Sequence, residues 1–160
     1  MAGVARTAVV GDREGALFGL WESRGHTGAA VQDRTGTMWW AELLTADVRA
    51  AREFYMPIFG WRYELTQKFA VQDAAGEGLT VFKAGDTSAA SALQFHSDWG
   101  VTPRWSVFFA IDDWKETVRR ATRLGGTLGF WHDVPNAGRI GTIEDPAGAT
   151  FVIVKPLQRT

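Results

Sequence analysis

The chain has 160 residues, a net charge of -1 and no cysteine; 46 % of it is hydrophobic and 22 % charged. That length holds one domain with a full core, and the near-zero charge supplies no basic field for nucleic acid or an anionic membrane. The missing thiols exclude disulfides, thiolate metal sites and a cysteine nucleophile, which fits a cytoplasmic protein.

No apolar run approaches the roughly 20 residues that span a bilayer. Met1 is not followed by the pattern of a signal peptide. Residues 1–22 are predicted to form a β-hairpin, Val4–Val10 and Ala16–Trp21, around a turn at Gly11–Gly15. This segment has a second copy near the end of the chain. Arg6, Asp12, Gly15, Ala16 and Phe18 reappear at identical spacing as Arg139, Asp145, Gly148, Ala149 and Phe151. An internal repeat dictates how the rest must be read. Residues 23–37 are polar and glycine-rich and read as a linker.

A strand is predicted over Met38–Thr45. Alternation puts Met38, Trp40, Glu42 and Leu44 on one face and Trp39, Ala41, Leu43 and Thr45 on the other. Asp47 then caps a helix to Phe59, and Gly60 stops it. Strands are expected near Trp61–Leu65, Phe69–Gln72, Leu79–Lys83 and Ala90–Phe95. The pattern restarts with a strand at Trp105–Ile111. Asp112 or Asp113 caps a helix carrying Trp114, Val118, Ala121 and Leu124, which ends at Gly125-Gly126. Further strands are expected near Thr127–Trp131, Arg139–Glu144 and Thr150–Val154. The chain thus reads as α+β: a hairpin at 1–22, a linker at 23–37, and a domain at 38–157. The domain holds two modules, about 38–97 and 103–157, each with a strand, a helix and roughly three strands.

A repeated βαβββ module with these signatures resembles the vicinal oxygen chelate superfamily of glyoxalases, bleomycin-resistance proteins and extradiol dioxygenases. The resemblance rests on Trp40-Ala-Glu-Leu-Leu-Thr-Ala-Asp47, Phe54-Tyr55 with Phe59-Gly60-Trp61, Trp105 to Asp112, Gly138-Arg139 and Glu144-Asp145-Pro146-Ala-Gly148-Ala-Thr-Phe151. It looks most like tandem-domain glyoxalase-like proteins, here the end of a first domain followed by a complete second one. The resemblance implies that paired modules curve into a cup, with the helices outside and a ligand or metal within.

Metal-dependent members place His, Glu or Gln on the first and last strands of their modules, where donors converge at about 2 Å. Those positions fall here at Trp40, Ser106, Val152 and Gly19, with the end of the first module near Gln94 or His96. Trp and Val cannot ligate, so no metal and no other cofactor is expected. A rearranged divalent site from Glu42, His96 and His132 is the alternative.

Three functions follow. In the first, the cup binds a small apolar or aromatic molecule through Trp40, Phe108 and Trp131, oriented by Glu42, Gln94, His96 and Ser106. In the second, the protein is a lyase, isomerase or oxygenase-type enzyme with Glu42 as its base, since a carboxylate on the cup face is desolvated and its pKa rises. A salt bridge to Arg104 or Arg139 is the structural alternative for Glu42. In the third, the protein is a structural or interaction module whose hairpin covers this domain or swaps onto a second chain, with a homodimer expected. Ser106 has no His and Asp at triad spacing, and Gly125-Gly126 ends a helix rather than opening one, so neither a serine hydrolase nor a phosphate loop is indicated.

Overall fold

Two of the strand pairings are parallel, and they organise the whole molecule. The structure is a computed structural model that describes residues 5–25, 28, 29, 31, 34–69 and 73–157. In chain order the elements are β1 (Ala5–Gly11), β2 (Leu17–Ser23), β3 (Met38–Thr45), α1 (Val48–Phe59), β4 (Arg62–Thr66), β5 (Leu79–Ala84), β6 (Thr87–Gln94), β7 (Arg104–Ala110), α2 (Trp114–Arg123), β8 (Thr127–Val134), β9 (Gly138–Glu144) and β10 (Thr150–Pro156). A short 3-10 turn lies at Ser97–Trp99. β3 runs parallel to β6, and β7 parallel to β10. Parallel neighbours need a crossover, which each helix begins.

The result is one curved eight-stranded sheet in the order β4-β5-β6-β3-β7-β10-β9-β8. The modules meet where β3 pairs antiparallel with β7. Of the strand expected near Phe69–Gln72, Lys68 and Phe69 form a turn, and residues 70–72 lie outside the described residues. Among the described residues no helix is long and apolar enough to cross a membrane.

Both helices start and stop as their sequences require. The Asp47 carboxylate accepts from the Arg49 and Ala50 amides, and Gly60 closes α1 in the left-handed conformation. Val48, Ala51 and Tyr55 repeat at helical spacing and pack with Leu43, Phe82, Ala90 and Ala92. Asp113, rather than Asp112, caps α2 through the Glu116 amide. Trp114, Val118 and Ala121 cover Ile111, Ile143 and Ile153. Leu124, expected on the same apolar face, is 70 % exposed because the chain leaves the helix there.

The Trp114 ring rests on Gly141, where an added Cβ would sit 2.6 Å from the ring and 3.0 Å from Trp131 Cβ. Gly141→Ala is expected to destabilise the domain by about 1–3 kcal/mol through overpacking, as read from urea unfolding; an unchanged midpoint would contradict this packing.

The N-terminal hairpin stands as its own two-stranded sheet, β1 with β2. Its turn duplicates the turn between β9 and β10. The Asp12 carboxylate accepts from the Glu14 and Ala16 amides at 2.9 Å each, and Asp145 accepts from Ala147 and Ala149 at 2.8 and 2.9 Å. The repeat seen in the sequence is therefore a repeat of geometry.

The hairpin docks on its own chain beside α1. Phe18 packs edge-on against Phe54, Tyr55 and Phe59. Tyr55 Oη donates to Asp12 Oδ2 at 2.8 Å and accepts from Trp105 Nε1 at 3.0 Å. Glu14 takes Thr45 Oγ1 at 2.6 Å and the Ala46 amide at 3.0 Å. Burial drives the Tyr55 phenol pKa well above its ordinary range. Val9, Leu17 and Leu20 remain exposed on the hairpin.

Candidate functional site

The two faces of the sheet are set by what each side chain touches. Leu43, Ala90, Ala92 and Phe82 turn toward α1, and Trp105 reaches Tyr55. Strand alternation then sends Trp40, Glu42, Leu44, Ser91, Leu93, Arg104, Ser106 and Phe108 to the concave face. Phe108 packs there with Val152, Val154, Trp40 and Ile140. The cup is thus apolar on the side of the second module and polar at its centre.

The polar centre is a directed chain of hydrogen bonds. Trp40 Nε1 donates to Ser91 Oγ at 2.8 Å, and Ser91 Oγ donates to Glu42 Oε2 at 2.8 Å. The indole can only donate, so it fixes the serine proton toward the carboxylate. On the other side of Glu42, Ser106 is its cross-strand partner. Ser91 and Ser106 are buried, and Glu42 is half-buried. Burial pushes the Glu42 pKa from 4.5 up to about 7, against the bond from Ser91, which lowers it.

Neither arginine considered as a partner reaches this carboxylate. Arg139 pairs with Asp133 at 2.8 Å, and the Arg104 guanidinium donates to the Thr102 carbonyl at 3.3 Å.

The other expected site residues are only partly brought together. Ser106 and Phe108 stand in the cup as expected. Gln94 does not: its Oε1 accepts from the Val48 amide at 3.1 Å, on the helix side. His96 is exposed beyond the end of β6, against Trp99. Trp131 is also on the outer face. A bulge between Leu128 and Trp131 adds a residue to β8, so Trp131 pairs with Gly141. It sits near Trp114, with Arg139 4.9 Å above its ring. A one-residue shift exchanges the faces of a strand. His132 consequently pairs with Ile140 and takes the cup side. Partial burial lowers its pKa. A second bulge, at Met38/Trp40, pairs Met38 with Phe109 and removes it from the Trp40 face.

Sequence reasoning missed Ser91. β6 reads Thr-Ser-Ala-Ala-Ser-Ala-Leu-Gln, with no alternation to follow. Only pairing identifies it: Ser91 stands beside Glu42 as Val152 stands beside Phe108. The strand positions that carry metal ligands in metal-dependent members are therefore Trp40, Ser91, Ser106 and Val152. Indole and valine offer no donor, and two hydroxyls are poor ones. These residues do not fit a divalent ion. Glu42, His96 and His132 do not converge either; among the described residues no three His, Asp or Glu side chains gather in a metal-binding group.

A recess of about 680 Å³ lies outside the cup, lined by Arg49, Arg52, Met56, Pro57, Tyr63 and Glu77. Its two arginines are already paired, because Glu77 holds Arg49 at 2.6 Å and Arg52 at 2.7 Å. The half-buried carboxylate and the oriented hydroxyl are in the cup, which we take as the site.

Paired βαβββ modules joined at their first strands are the architecture that the sequence resemblance implied. The family model described as "Glyoxalase-like domain" matches residues 36–154, and the chain belongs to that family. It is 35 % identical over 152 residues to "Putative glyoxylase CFP32" of Mycobacterium tuberculosis, covering 94 % of this chain and 56 % of that protein. It is 36 % identical over 155 residues to "Anthracycline biosynthesis protein DnrV" of Streptomyces peucetius, covering 96 % of this chain and 54 % of that one. The chain therefore spans little more than half the length of these relatives. Among solved structures, methylmalonyl-CoA epimerase from Mycobacterium tuberculosis shares the fold with a TM-score of 0.52 at 16 % identity, covering 79 % of this chain and 92 % of its own. A hypothetical protein of Bacillus halodurans does so with a TM-score of 0.54 at 8 % identity, covering 79 % and 99 %.

Proposed function

We propose that this glyoxalase-like domain binds a small, largely apolar or aromatic molecule in its cup and needs no metal to do so. The observation that carries the reading is the chain Trp40–Ser91–Glu42 beside an apolar wall of Phe108, Val152 and Ile140. Small-molecule sites combine apolar walls with a few convergent polar groups. Glu42 supplies the orienting contact. With a pKa near 7 it donates to a carbonyl oxygen when protonated and accepts from a hydroxyl when ionised. Kinship with proteins named for anthracycline biosynthesis supports a planar, oxygenated aromatic ligand.

The test is a calorimetric titration with 2-naphthol, a planar aromatic alcohol. Saturable binding is expected in the wild type. Val152→Trp, which fills the apolar wall, should weaken it about tenfold or more. No binding at millimolar ligand, or binding indifferent to Val152→Trp, would refute the cup as the site.

The same carboxylate favours a second reading, an enzyme in which Glu42 moves a proton. General bases work best with a pKa near the working pH, and Glu42 is placed there. A substrate turned over equally well by Glu42→Gln would remove that role.

A further inference from the structure

The geometry points to Arg104 as a second anchor in the cup, one that holds the anionic group, a carboxylate above all, of the molecule whose oxygen meets Glu42. This rests on the reading of the cup as a small-molecule site and adds the chemical class of its ligand.

Arg104 opens β7 on the face that also carries Ser106 and Phe108. The intervening Trp105 points the other way, to Tyr55, which fixes the alternation. Across the sheet Arg104 is paired with Leu44, and Leu44 with Leu93. Apolar neighbours of this kind strengthen any charge interaction made there.

What sets Arg104 apart is that it lacks a carboxylate among the described residues while partly buried; Arg13, Arg24, Arg34, Arg120 and Arg123 form no ion pair there either, but they are exposed. Arg6, Arg49, Arg52, Arg62, Arg119 and Arg139 each pair with Asp or Glu. Arg104 forms no ion pair among the described residues. Its Nη1 makes a long bond of 3.3 Å to the Thr102 carbonyl. Its Nε is buried and has no acceptor among the described residues. Buried donors are paired in folded proteins, and an unpaired one asks for the group that completes it. The planar guanidinium fork is matched to a carboxylate, which takes two of its N–H groups at once.

Spacing narrows the ligand further. Arg104 and Ser106 are two residues apart on one strand, about 7 Å, and Glu42 stands opposite Ser106. Trp40 and Phe108 form the next pair beyond. A ligand that uses all three rows has an anionic group at one end, a hydroxyl or keto oxygen on the order of 7 Å away, and aromatic or apolar surface between and beyond. Aromatic hydroxy acids have this layout.

The experiment compares 6-hydroxy-2-naphthoate with 2-naphthol, which lacks only the carboxylate. Both are titrated calorimetrically into the full chain, wild type and Arg104→Met. The variant is expected to weaken the naphthoate about tenfold or more and the naphthol less than about twofold. Equal loss for both ligands, or no loss for either, overturns the role of Arg104 and leaves the cup reading standing. Binding of neither ligand to the wild type removes the cup reading and this inference with it. A second measurement decides if Arg104→Met does not fold. The Arg104 Nε–H resonance of the wild type should shift with 6-hydroxy-2-naphthoate and not with 2-naphthol; an unmoved resonance at saturation overturns the contact.

Discussion

Tyr55→Ala is expected to cost about 4 kcal/mol of stability and to free the N-terminal hairpin. Tyr55 is fully buried between α1, β7 and the hairpin. Its ring meets Phe18, Phe54, Phe82 and Trp105. Its hydroxyl joins Asp12 of the hairpin to Trp105 of β7. Removing the side chain leaves a cavity and strips both polar groups of their partner. Tyr55→Phe separates the two effects. It keeps the ring and should cost about 1–2 kcal/mol, the net value of hydrogen bonds to a charged and a neutral group. Urea unfolding measures both losses, and limited trypsin digestion reports hairpin release through cleavage after Arg13 or Arg24. A loss below about 2 kcal/mol for Tyr55→Ala would mean that the hairpin is not held through this residue.

Glu42→Gln is expected to raise stability at pH 8 and to leave it nearly unchanged at pH 4. Folding moves the Glu42 pKa from 4.5 up to about 7. Below pH 4.5 the carboxyl is protonated in both states and contributes no difference. Between pH 4.5 and 7 the unfolded chain has released the proton while the folded one keeps it, so stability falls as pH rises. Above pH 7 the loss is complete, at about 3 kcal/mol for a shift of that size. Glutamine carries no charge and still accepts from Ser91 through its amide oxygen. The wild type and the variant should therefore diverge through this window when unfolded in urea. His132 acts with the opposite sign, because its lowered pKa removes stability as pH falls. It is common to both proteins and cancels in the difference. Parallel stability curves from pH 4 to 8 would show that Glu42 is not desolvated.

Much of this was legible in the residues alone. Asp47 and Gly60 mark the ends of α1, because a helix must satisfy its first amides and escape at a residue that tolerates positive φ. The copy of Asp12 at Asp145 announced two identical turns. Alternation along β3 and β7 placed Glu42, Ser106 and Phe108 on one face, since side chains in a strand repeat every second residue.

The misplacements of Met38, Trp131 and His132 share one cause. A bulge is invisible in a list of residues, yet it shifts the register by one and reverses every face beyond it. Trp131 left the cup and His132 entered it for that reason. Gln94 was lost to the cup because its partner, the Val48 amide, is brought to it only by the parallel pairing of β3 with β6.

The sequence by itself determined the two-module architecture, the family and a carboxylate on the concave face. These depend on local periodicity, caps and turns, which are written within a few neighbouring residues. Tertiary structure alone decided that Ser91 and Trp40 orient that carboxylate, that Arg104 has no ion-pair partner among the described residues, and that the hairpin docks on Tyr55. Each of these contacts joins distant strands, and its geometry exists only once register and burial are set.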